Sequence, residues 1–270
     1  MGLHDPVAID YLNDRLIGML NDAGFGYLKL DYSETLGIGV DHEDSLGEGL
    51  RRQADGTLAL FDRIRARLPE LVIEICSAGG HRLESSLLQR SAMSSFSDAH
   101  ETVEIPIVAA ALHKLVLPQQ SQIWAVLNAD DPAQRLAYSL AATFLGRMCL
   151  SGDIRSLSKT QKDQVRAAVD LYRQAVPIIK DGRSYLEGET STSWRHPKGW
   201  QTVLRIAGDH ALVVAHTFAS VPDEIKIDLP GGKWQEIGFF PDHSNDVGSG
   251  GVTFANLHDY EGRVSLLARA

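Results

Sequence analysis

The sequence predicts an α/β fold in which parallel strands alternate with helices, followed by a small antiparallel β domain. Two observations carry that prediction. Between residues 6 and 180, five short apolar segments are separated by stretches whose apolar positions recur near the 3.6-residue helical period. Alternation of this kind makes right-handed βαβ units and a parallel sheet. From about Gly182 the helical period disappears, and short apolar runs are split by turn signals instead.

Taken in order, residues 6–21 carry Val7, Ile9, Leu12, Leu16, Ile17 and Leu20 at helical spacing. Breakers Gly24 and Gly26 precede a strand that stops at Asp31. A loop with Gly37, Gly39 and the acidic run Asp41-His42-Glu43-Asp44 leads to a helix over residues 45–68. Leu50, Leu58, Leu60, Phe61 and Ile64 are expected on its buried side, with Arg51, Arg52, Arg63 and Arg65 solvated and Pro69 ending it. Strands then follow at 71–76, 92–97, 122–127 and 147–150, separated by helices at 82–88, 103–115 and 132–145. A long helix over 158–178 closes the alternation. Strands at 200–206, 211–216, 224–229, 234–240 and 264–268, parted by Gly208-Asp209 and Pro230-Gly231-Gly232, read as a β-sandwich. The expected division is therefore 1–182 and 183–270.

Composition is ordinary for a globular chain, at 44% hydrophobic and 23% charged residues. A formal net charge of −9 argues against nucleic acid or an anionic membrane surface as a partner. No apolar run approaches the roughly 20 residues of a membrane span, and Met1-Gly-Leu-His-Asp-Pro6 lacks the form of a signal peptide. The only cysteines, Cys76 and Cys149, sit inside apolar runs, as in a reduced compartment. A cytoplasmic location is the expectation.

Two strands end abruptly in a carboxylate, at Asp31 and at Asp98. Strand-end Asp commonly caps a turn or helix, and that bland reading applies to both. Lys29, two residues before Asp31, points to the same side and would keep the carboxylate ionised. Asp98 suits a general acid of raised pKa. Two strand-end carboxylates are the minimum equipment for cleaving a glycosidic bond. Cys76-Ser-Ala-Gly-Gly-His-Arg82 reads locally as a flexible strand-to-helix turn whose glycines permit close approach to a ligand. A metal site from Cys76, His81 and His100 has no supporting ligand spacing. Gly37-x-Gly39 is no dinucleotide fingerprint. Trp194, Trp200 and Trp234 are expected in the core rather than as sugar platforms.

Together, Tyr27-Leu-Lys29-Leu-Asp31, then Ile73-Glu-Ile-Cys76-Ser-Ala-Gly79-Gly80-His-Arg82, then Ser97-Asp98 resemble the motifs of glycoside hydrolase family 36, the bacterial α-galactosidases. The resemblance implies Asp31 as nucleophile and Asp98 as acid/base. It implies sugar contacts from Lys29, Cys76, Gly79, Gly80 and Arg82. The chain departs from the usual pattern in reading Glu-Ile-Cys, Gly-Gly-His-Arg, and Ala-His-Glu after Asp98.

In that family the motifs lie on an eight-stranded barrel, so the five strands here match its fourth to eighth. The implied fold is an incomplete (β/α) TIM-type barrel of about five units, lacking the early strands that also grip the sugar. The implied activity is retaining hydrolysis of α-galactosides or related oligosaccharides, with no cofactor and no metal. The alternatives are a non-catalytic carbohydrate-binding or assembly subunit and a related α-galactosyl transferase. Exposed parallel edges lead to the expectation of a homo-oligomer or of pairing with a separate N-terminal portion.

Overall fold

A computed structural model describes residues 2–31, 44–76, 79–96, 98, 103–188, 193, 195–242, 244–248 and 250–270. The Glu34–Asp44 loop falls almost wholly outside them, as do His100 and Trp194. The backbone forms two compact units, Met1–Asp98 and Ala99–Ala270.

The first unit opens with α1 (Pro6–Leu12), a π-helical turn (Asn13–Ile17) and α2 (Gly18–Asp22). Asp5 caps α1 by accepting the Val7 N–H. Strand β1 (Tyr27–Asp31), helix α3 (Leu46–Arg67), strand β2 (Val72–Cys76), the short helix α4 (Ser85–Leu88) and strand β3 (Met93–Ser95) follow. The strands run parallel, with β2 between β1 and β3. Helix α4 begins later than expected because Glu84 caps it, its carboxylate accepting the Ser86 and Leu87 N–H groups.

Helix α3 corrects one expectation. Leu50 is exposed, while Gln53, Gly56 and Thr57 share the buried side with Leu60, Phe61 and Ile64. Gln53 accepts the Leu3 N–H at 2.8 Å, and a side chain at Gly56 would strike the Leu3 carbonyl. The N-terminal segment therefore docks on a polar, notched stretch of the helix.

The second unit contains α5 (Ile105–Leu112), β4 (Ser121–Leu127), α6 (Ala133–Ala142), β5 (Arg147–Gly152) and α7 (Lys159–Asp181). Strands β4 and β5 pair in parallel. Helix α7 starts on a capping box in which Ser158 and Gln161 exchange side-chain bonds. Its last carbonyls are taken by buried Arg205, which donates to Ile178 and Ile179.

Among the described residues, eight antiparallel strands complete this unit: β6 (Arg183–Gly188), β7 (Trp200–Ala207), β8 (His210–Thr217), β9 (Glu224–Asp228), β10 (Trp234–Phe240), β11 (Asp246–Gly248), β12 (Gly251–Ala255) and β13 (Gly262–Arg269). They make a five-stranded sheet in the order β10-β13-β8-β7-β6 and a three-stranded sheet in the order β11-β12-β9. Leu204, Val213 and Leu267 from the first meet Ile227, Val252 and Phe254 from the second in one core. Trp234 is part of that core and Trp200 packs against it. Helices α6 and α7 cover the larger sheet.

Candidate active site

Alternation along β1 places Tyr27, Lys29 and Asp31 on one side and Leu28 and Leu30 on the other. Parallel register sets Lys29 opposite Glu74 and Asp31 opposite Cys76. Two strand ends thus bring Asp31 beside Cys76, one step above a Lys29–Glu74 layer. Asp31 is exposed at the end of its strand; Cys76 is buried at the end of its own.

Burial raises the Cys76 thiol pKa, and the carboxylates of Asp31 and Asp98 push it further. A backbone hydrogen bond from Gly79 and the Lys29 charge oppose them. The thiol is consequently neutral near pH 7, a small soft wall rather than a nucleophile. Its response to both aspartates puts Asp31 and Asp98 within electrostatic reach of the same strand end. Asp98 lies three residues past β3 and is exposed.

The turn after Cys76 is built on glycine. Gly79 and Gly80 have φ of 66° and 108°, in the left-handed range. A Cβ at Gly80 would lie 2.6 Å from the Phe96 carbonyl oxygen. Backbone contact here ties the turn to the segment that delivers Asp98. His81 is exposed, whereas Arg82 is buried directly after the turn.

Glu74 is a functional candidate that the sequence reading passed over. It is 3% exposed, yet carries a carboxylate in the middle of Val72-Ile-Glu-Ile-Cys76. Ser95 donates to its Oε1 at 2.8 Å, Tyr27 Oη donates to its Oε2, and Lys29 Nζ stands 3.5 Å from Oε1. The available signal was the two-residue spacing to Cys76, which puts both on one face of β2.

Among the described residues, no group of three or more His, Cys, Asp or Glu side chains gathers as a metal site. No described helix is long and apolar enough to cross a membrane. Cys76 and Cys149 are not paired in a disulfide.

Solved α-galactosidases of glycoside hydrolase family 36 share this fold. AgaB from Geobacillus stearothermophilus matches with a TM-score of 0.81 and 18% identity, over 100% of this chain and 39% of its own. A variant of AgaA from the same organism, in complex with raffinose, matches with a TM-score of 0.79 and 17% identity, over 100% and 39%. The melibiase family model matches residues 1–182, and the chain belongs to that family.

Curated relatives agree. A probable alpha-galactosidase C of Aspergillus flavus is 25% identical over 233 residues, which is 81% of this chain and 28% of the relative. An alpha-galactosidase of Escherichia coli is 29% identical over 192 residues, 67% of this chain and 26% of its own length. The chain therefore spans little more than a quarter of the curated relatives it matches.

Proposed function

We propose that the chain carries the acid and nucleophile of a retaining α-galactosidase. Asp31 attacks the anomeric carbon and forms a covalent glycosyl-enzyme. Asp98 protonates the departing oxygen and then takes a proton from the water that releases the sugar. Lys29 binds a hydroxyl beside the nucleophile, and Cys76, Gly79, Gly80 and Arg82 line the sugar's other side. The substrate class is an α-galactoside or related oligosaccharide, in keeping with the raffinose held by the AgaA variant. Two carboxylates suffice for this chemistry, so no cofactor enters the mechanism.

The observation that carries the reading is the meeting of Asp31 and Cys76 in parallel register, with Asp98 within electrostatic reach. The family match ending at residue 182 supports a partial (β/α) barrel over 1–182 as the catalytic region and a β-sandwich over 183–270. The location proposed is cytoplasmic.

A second reading rests on length. The chain aligns with 39% of the length of a solved relative, and the second reading is a carbohydrate-binding or assembly subunit. Hydrolysis of an aryl α-galactoside by the purified chain, with Asp31→Asn alongside, separates the two. Turnover that disappears in the variant supports the enzyme. Absence of turnover, with galactose still bound, supports the subunit.

A further inference from the structure

We infer that Glu74 is a positioning residue that clamps Lys29 and thereby orders the polar face on which Asp31 stands. The inference rests on the reading of Asp31 as nucleophile and Lys29 as its basic neighbour.

A buried carboxylate is costly unless its oxygens are satisfied. Glu74 meets that condition across three strands. Tyr27 and Lys29 approach from β1 and Ser95 approaches from β3, so both carboxylate oxygens are engaged. Lys29 is the only cation in that set. Its Nζ lies 3.5 Å from Oε1, with the lysine side chain 33% exposed and that of Glu74 4% exposed. A lysine stem left unheld samples many rotamers, and one tied to a buried anion samples few.

Register then transmits the constraint. Lys29 and Glu74 form one layer, and Asp31 and Cys76 form the next along the same strands. Two residues of strand separate the layers by roughly 6–7 Å. Glu74 is therefore too far down the face to take part in bond making, and its oxygens are already committed. Its task is to fix where the Lys29 charge stands relative to Asp31.

The test uses Glu74→Gln in the full chain, which keeps the shape and removes the charge. Lys29 acetylation by acetic anhydride, followed by peptide mass mapping, is expected to rise several-fold, while exposed Lys226 is unchanged. Where the wild type hydrolyses an aryl α-galactoside, kcat/KM is expected to fall about ten- to a hundredfold, the scale of misplacement by about 1 Å. In a Lys29→Met background the same substitution should change it by no more than about twofold.

Independent, multiplying losses in the two backgrounds would overturn the clamp, since they would mean that Glu74 does not act through Lys29. Unchanged Lys29 labelling in Glu74→Gln would overturn it whatever hydrolysis shows. Released Lys29 in a chain without wild-type turnover would support the clamp and remove the catalytic reading. If Glu74→Gln does not fold, Glu74→Asp withdraws the charge by one methylene, and labelling that stays at the wild-type rate overturns the proposal.

Discussion

His216 is a fully buried imidazole inside β8, packed edge-on against the Tyr138 ring and 3.3 Å from the Tyr138 carbonyl. Burial lowers its pKa from 6.5 to about 4. Half-buried His113 moves the same way, also to about 4 and again mainly through burial. Between pH 6.5 and 4 the unfolded chain binds a proton that native His216 refuses, so stability is present above this window and is lost as pH falls through it. A shift of this size is worth about 3 kcal/mol at its full extent. Denaturant unfolding at a series of pH values should show this loss, with a shallower slope in His216→Gln. Identical slopes in the two proteins would rule His216 out as a source. The same physics explains what was hidden at this scale: burial depends on partners distant in sequence. Asp31 was legible as a strand end because a short apolar run stops abruptly at its carboxylate. Glu74 was not, since an apolar run flanked it and its satisfaction comes from Tyr27 and Ser95 on other strands.

At the scale of elements, α7 is the piece whose start the sequence wrote most clearly. Ser158 accepts the Gln161 N–H at 3.2 Å, and Gln161 returns a bond to the Ser158 N–H at 2.8 Å. Gln161 also donates to the carbonyls of Ala129 and Asp131, anchoring the helix start to the segment after β4. Ser158→Ala should cost about 1 kcal/mol, which lowers Tm by roughly 2–4 °C in a unit of this size. Calorimetry checks it, and an unchanged Tm would mean that Gln161 alone holds the end. The expected stop at Ile178 fell three residues short, because Pro177 is accommodated and Gly182 closes the helix onto the Ile178 carbonyl. Five strands of the parallel portion were legible from apolar runs. Strand β6 was not: Arg-Ser-Tyr-Leu-Glu-Gly shows no clean alternation, being largely exposed at the end of its sheet. Strands β11 and β12 were missed for a related reason, since glycines interrupt their short runs.

For the molecule as a whole, the open question is what the first unit's exposed surface meets. Among the described residues β1 pairs with β2 alone, leaving its other edge without a strand partner. Phe25 and Tyr27, at the start of that strand, are 53% and 44% exposed. Val7, Tyr11 and Met19 add further exposed apolar surface to the same unit. A parallel edge flanked by aromatic side chains is a template for association. The purified chain is therefore expected to self-associate, with a weight-average mass that rises with concentration in sedimentation equilibrium. Phe25→Glu places a charge just before the edge at an exposed position, where the cost to folding is small. It should shift the equilibrium toward the monomer without changing the unfolding transition. A wild-type chain that sediments as a monomer throughout would show that this edge is tolerated in water. Association that Phe25→Glu leaves untouched would place the contact elsewhere on the chain.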